Sequence, residues 1–219
     1  MSIKKRFSED DLKKIKAAVH QAEDKISGEI VPVFVERSGH YVGAVYRGGL
    51  ILGALTFILL IYFDRYQYQS ELAIVDPLLI FLVVIAAGLT GALFVNYVDP
   101  LRRMLVGQAE LDHSTKRRAE SAFLQEEIFN TQQRTGIMIF VSFFEREVII
   151  IADRGISKVV DQKEWDKMVF SITDHIRKGK IVEGISGAIV RCGNILLEKG
   201  FVKAEADVNE LKDDLRIED

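Results

Sequence analysis

The sequence predicts an α/β domain interrupted by a two-helix membrane hairpin, and three observations carry that prediction. Residues 43–98 are nearly free of charge apart from a short central patch, while both flanks are rich in Lys, Arg, Asp and Glu. The stretch IMIFVSFFEREVIIIADRGI, residues 137–156, sets two intensely apolar runs around Glu145 and Arg146. Amphipathic helical periodicity brackets both features. The 219 residues accordingly divide into 1–40, a helix and strand; 41–100, the hairpin; 101–200, the rest of the α/β domain; and 201–219, a polar tail.

Ser8 followed by Glu9, Asp10 and Asp11 reads as a helix N-cap with acids in the first turn, where they oppose the positive end of the helix dipole. Leu12, Ile15, Val19, Ala22 and Ile26 then recur at helical spacing, and Gly28 ends the run. Residues 29–37, EIVPVFVER, read as a strand, with Pro32 suggesting an edge position because it cannot donate to a ladder.

Residues 48–63 carry no ionisable side chain except the terminal Tyr62, and the apolar run extends back through Arg47 to Gly43. About 20 residues of helix span roughly 30 Å, the thickness of a bilayer core. Residues 77–98 form a second such run, and the short polar link at 64–76 makes the pair an antiparallel hairpin. Tyr41, Tyr46, Tyr62, Phe63, Tyr66, Tyr68 and Tyr97 gather at the boundaries, as interfacial anchors do. Gly49 with Gly53, and Ala87 with Gly91, are small-xxx-small pairs that would let the two helices approach closely.

Arg37, Arg47, Arg102 and Arg103, with Lys116, Arg117 and Arg118 beyond, lie on the flank side, whereas the tip has Arg65 among Asp64, Glu71 and Asp76. The positive-inside bias therefore predicts a two-pass integral membrane protein with both termini and the α/β domain in the cytoplasm. The N-terminal basic residues have no apolar run behind them, so no secretory signal is expected.

After the hairpin, residues 106–131 read as a long polar helix with a sparse apolar face. Residues 137–143 and 148–152 are strands too continuously apolar to be covered on one face only, so helices are expected on both. Glu145 and Arg146 are expected as an exposed hairpin turn between them. Helices follow at 163–178, with Trp165, Met168, Val169 and Ile172 as its stripe, and at 181–199; the tail reads as a solvated or frayed helix.

A formal net charge of −3 gives no global basic field, which excludes a nucleic-acid partner as the working hypothesis. The single cysteine, Cys192, cannot form an internal disulfide, and no Cys/His spacing resembles a zinc site. The four histidines make no constellation, and Walker, GxSxG and HExxH motifs are absent.

The segments SGEIVPVFVE at 27–36, GIMIFVSFFEREVIIIADRGI at 136–156, Trp165 and KIVEGISGAIVRCGNIL at 180–196 together resemble the TPM-domain family, which includes thylakoid-lumen and photosystem II repair proteins. The resemblance implies a small α/β unit with a central sheet between helices. Some members are associated with acid phosphatase activity or calcium binding, and the resemblance raises both for this chain. The inserted hairpin and the lack of a signal peptide depart from the common pattern, so the cytoplasmic placement rests on charge alone.

Asp153, Arg154 and Gly155 offer a carboxylate, a guanidinium and a backbone amide just beyond a strand, the groups that phosphoryl hydrolysis uses, so Asp153 is the candidate catalytic residue. Asp153, Asp161, Glu164 and Glu29 are the candidate ligands for a divalent cation, calcium or magnesium. Calcium takes six to eight oxygens, more than Asp153, Asp161 and Glu164 supply, and no EF-hand spacing is present. The competing reading makes Asp153 a turn residue and Asp161 a helix cap.

The expected function is that of a membrane-anchored accessory domain acting in protein interaction or in assembly and maintenance of a membrane complex. Its partners would be membrane lipid and a membrane protein, with a homo-oligomer also compatible. The alternative is a membrane-bound metal-dependent phosphatase or a cation-binding protein.

Overall fold

The computed structural model describes residues 6–67, 76–203, 210–211 and 214–218. It divides into two compact units: one of residues 1–39 and 112–219, the other of residues 40–111. Among the residues expected at the hairpin tip, Tyr68 and Glu71 lie outside the described residues.

In the first unit, Ser8 caps α1 (Glu9–Glu23) through a capping box: Ser8 Oγ accepts from Asp11 N at 3.2 Å, and Asp11 Oδ2 accepts from Ser8 N at 3.0 Å. Then come β1 (Glu29–Val35), β2 (Gly136–Ser142) and β3 (Glu147–Ala152), the helices α6 (Arg154–Ser157), α7 (Gln162–Arg177) and α8 (Ile181–Glu198), and a short β4 (Arg216–Glu218). α5 (Gln108–Gln125) runs from one unit into the other.

The sheet order is β3-β2-β1-β4, with β1 parallel to β2 and β4, and β2 antiparallel to β3. Every residue of β1 and β2 is buried, as their unbroken apolar runs require. Ile30, Phe34, Ile137, Ile139 and Val141 turn to one face, against side chains of α1, α7 and α8. Val31, Val33, Val35, Met138 and Phe140 turn to the other, against Ala119 and Ala122 of α5 and Ile128. Gly136 starts β2 where no side chain fits, because an added Cβ would run into the Ile128 carbonyl oxygen.

Three local expectations are corrected. Pro32 is not on an edge strand; β1 lies inside the sheet, but β4 pairs only with Val33–Val35, so the missing Pro32 N–H falls just before that ladder begins. Two residues earlier, where no described strand pairs with β1 on that side, the Ile30 amide donates to the buried Glu23 carboxylate at 2.7 Å. The described end of the tail is a strand, β4, and not a helix, because β1 offers it an open row of backbone groups. Glu145 is not an exposed turn residue but has no exposed surface, while Arg146 takes the left-handed conformation with φ 58°.

In the second unit, α2 (Val42–Tyr62) is extended by a π-helical turn at Phe63–Gln67, followed by α3 (Pro77–Tyr97) and α4 (Asp99–Leu105). Asp76 caps α3, its Oδ1 accepting from Leu78 N at 2.7 Å, with Pro77 at the first helical position. The spans Val42–Arg65 and Pro77–Tyr97 have mean hydropathies of 2.0 and 2.8, and both are long and apolar enough to cross a membrane. Leu50, Ile58, Leu78 and Leu89 keep more than half of their surface exposed. In water such a surface would be a severe liability.

The two helices meet antiparallel along a glycine seam. A Cβ on Gly49 would lie 2.9 Å from the Gly88 carbonyl oxygen, and one on Gly91 would lie 2.8 Å from both Gly48 O and Leu52 Cβ. Gly53 faces Val84 O at 3.6 Å on the same measure. Gly49, Gly53 and Gly91 thus sit at the contact; Ala87 is half-buried beside it, and Gly88 takes the facing position. Near the seam's open end, Arg47 Nη1 donates to Leu105 O at 2.7 Å, and the buried Arg102 donates to Asn96 O and, at 2.5 Å, to Asn96 Oδ1.

Candidate functional site

Asp153 leaves β3 at its last rung. Its amide donates to Gly136 O at 2.9 Å, and its own Oδ1 accepts from Arg154 N at 2.6 Å, which makes it the N-cap of α6. Oδ2 lies 2.9 Å from Arg134 Nε, and the residue is only 5% exposed. Arg134 has φ 58° and closes the turn a second time, its carbonyl accepting from Gly155 N at 2.9 Å. A side chain at Gly155 would lie 2.6 Å from that same carbonyl, so glycine is required by close approach. The Arg134 guanidinium also stacks 5.6 Å from the Phe129 ring centroid. Asp153 Oδ1 is therefore held by a backbone amide, and Oδ2 faces Arg134 as an ion pair without a hydrogen bond.

Asp161 caps α7, its Oδ1 accepting from Lys163 N at 2.9 Å. Glu164 in the same first turn accepts from Lys167 at 2.9 Å and from Arg191 at 3.0 Å, and these bonds hold its carboxyl below the usual range. Glu29 opens β1 as a buried residue, with Oε1 accepting from Glu210 N at 3.0 Å. The register pairs Glu29 with Gly136, whose carbonyl receives the Asp153 amide, so Glu29 and Asp153 stand at the same end of the sheet. Asp161 and Glu164 stand together at the start of α7. Among the described residues no three His, Cys, Asp or Glu side chains converge as a metal site.

The opposite end of the sheet holds carboxylates that local sequence gave no reason to single out. Ser38 N donates to Glu145 Oε1 at 2.9 Å, Ser142 Oγ donates to Glu145 Oε2, and the two serine hydroxyls lie 2.9 Å apart. Beside them, burial first and a side-chain hydrogen bond with Asp112 second push the Glu147 carboxyl up to about 7, against the opposing effect of a Thr115 hydrogen bond. Carboxyls shifted toward neutrality cluster at working sites and also occur in structural pairs. A glutamate in a hairpin turn reads as solvated unless its distant partners are known, and Ser38 is 107 residues away. The lone Cys192 is fully buried, and burial pushes its thiol up to about 12.

Residues 94–195 match the family model described as the TPM domain. No curated protein matches the chain. Among solved structures, the chain is similar to the BA42 protein of the psychrophilic bacterium Bizionia argentinensis, determined by NMR, with a TM-score of 0.57 and 18% identity over 97% of this chain and 95% of that one. At that identity the likeness establishes the α/β fold alone. The matched stretch begins after β1, yet β1 is a central strand of the same sheet, so the domain is assembled from sequence on both sides of the hairpin.

Proposed function

The chain carries a TPM domain, and from that premise we propose that it is a two-pass membrane protein whose domain works by recognition, in assembly or maintenance of a membrane complex. One observation carries the reading: α2 and α3 spend their small residues on each other and turn their large apolar side chains outward. Such a pair is a stable solution in lipid, where helices associate through close packing and not through exclusion of water. The excess of arginine on the flank side supports a cytoplasmic domain. Recognition is favoured over hydrolysis because Asp153, Asp161 and Glu164 each have oxygens engaged by cations or backbone amides of the chain itself. A domain fixed to the bilayer meets a membrane partner at high effective concentration, so a weak contact suffices.

Thiol labelling tests the anchoring and topology. Cys192 is buried and stays silent, so single cysteines introduced as Asp76→Cys and Lys199→Cys report alone. In intact bacterial cells an impermeant maleimide should modify Asp76→Cys, and should reach Lys199→Cys only after permeabilisation. The reverse pattern sinks the cytoplasmic placement, and release of the chain by alkaline carbonate sinks the membrane reading altogether. Calcium or magnesium titration with a phosphate ester on the same purified protein tests the competing class: turnover lost in Asp153→Asn that is still fully folded at the assay temperature would restore a hydrolase.

A further inference from the structure

β3 is the last strand of the sheet on its side, and its outer edge is not covered by any described strand. Asp153 N donates inward to Gly136 O, so by the antiparallel alternation the N–H and C=O groups of Val148, Ile150 and Ala152 point outward. The same three side chains lie on the α7 face of the sheet, near Trp165 and Val169. Between β3 and α7 runs a groove of about 530 Å³, bordered by Phe170, which is 74% exposed, and by Asp166 and Asp174. An open strand edge beside an apolar groove is the arrangement that accepts an added strand.

A second copy of this chain fits that edge badly. Pairing two β3 strands about Ile150 would satisfy Val148, Ile150 and Ala152 reciprocally, but it would set Glu147 opposite Asp153 at the strand ends. Like charges directly opposite are destabilising. The rim on α7 carries Asp166, Asp174 and Arg177, and its acidic end at Asp166 favours a basic residue in the occupant. Asp166 and Asp174 flank Phe170 at four-residue intervals on one helix face, about 12 Å apart along the axis. Four residues of strand cover about 13 Å. Asp174 already shares Lys178 at 2.6 Å, while Asp166 accepts from Gln162 at 3.0 Å, so Asp166 is the stronger attractor.

We propose that the β3 edge and the α7 groove bind an extended segment of a partner protein by strand addition, with a β-branched apolar residue under Phe170 and basic residues two positions to either side. The proposal rests on the recognition reading and names the surface that would serve it. The segment runs antiparallel to β3, and its groove-facing residues are the ones whose amides bond to Val148, Ile150 and Ala152.

The test uses the full chain in detergent micelles and a fluorescent heptapeptide, Thr-Lys-Thr-Val-Thr-Lys-Thr, read by anisotropy. N-methylation of the valine and lysine amides, which face β3, should weaken binding by about tenfold or more, as loss of buried hydrogen bonds implies. N-methylation of the threonine amides should leave it within about threefold on the same scale. Asp166→Asn, a surface change expected to leave the melt unaltered, should weaken binding and reduce its salt dependence. No binding at millimolar peptide, or binding indifferent to which amides are methylated, overturns the proposal. So does self-association by sedimentation that the peptide abolishes, since the occupant would then be a second copy. Thiol labelling is independent of the peptide, so failure here leaves the anchoring reading standing.

Discussion

The Ser38 amide donates to Glu145 Oε1 at 2.9 Å, joining the end of β1 to the β2–β3 turn across 107 residues of sequence. Because Glu145 has no exposed surface and also accepts from Ser142, its removal leaves the half-buried Ser38 amide without this acceptor and the buried Ser142 hydroxyl with Ser38 Oγ alone. Glu145→Ala should destabilise the domain by about 3 kcal/mol and Glu145→Gln by about half as much, since the amide keeps one acceptor. Urea unfolding of the full chain in micelles measures both. Equal stability of wild type and Glu145→Ala would show that the turn does not depend on this carboxylate.

Glu147 makes stability fall with rising pH. Its folded value, about 7, lies above the ordinary 4.5, so the folded state holds a proton that the unfolded state has released. The contribution is complete below about 4.5 and is lost as pH rises to about 7. Allowing for partial solvent screening, the loss is on the order of 2 kcal/mol. Glu147→Gln should flatten this portion of the stability profile. A parallel profile in the variant would mean that other groups carry the dependence.

Asp153 separates its two jobs under substitution. Asparagine is a good N-cap, so Asp153→Asn should keep the α6 cap and lose the charge facing Arg134, for about 1 kcal/mol. Asp153→Ala should lose both, for about 2 kcal/mol. Thermal melts that rank alanine no worse than asparagine would contradict this division.

Glycines of opposite kind give opposite signs. Gly187, inside α8, has nothing within 4 Å of an added Cβ, so Gly187→Ala should raise stability by about 0.5–1 kcal/mol. Gly91→Leu should push α2 and α3 apart, because even a Cβ there would lie 2.8 Å from Gly48 O. Thermal melts of the full chain in micelles should then show a lower transition for Gly91→Leu than for the wild type, if the close packing drives association. An unchanged melt would remove the seam as the determinant.

Elements whose patterns are local were legible in the sequence. The capping box at Ser8, the two apolar spans and the doubly buried β2 each declare themselves within about twenty residues, the range over which period and capping operate. The misread features depend on distant neighbours. The lost donor of Pro32 is local and points to an edge, whereas the length of β4, which makes that loss harmless, is not local. Glutamate in a turn is usually solvated, and nothing near Glu145 in sequence reveals Ser38. The Arg134 contact that occupies Asp153 is likewise a matter of loop geometry, set by an arginine in a left-handed conformation.

Glu29 pairs with Gly136 across the whole hairpin, and this imposes an order in time. The ribosome makes β1 first, and its parallel partner follows only after both apolar helices have been synthesised. At about 5–20 residues per second, that interval lasts on the order of 5–20 s. During it β1 is an unpaired strand, apolar in every residue but Glu29, with α1 to lean on and its sheet missing. The delay gives insertion of the hairpin a head start over closure of the sheet, and it leaves β1 open to any chaperone able to shield an extended apolar segment.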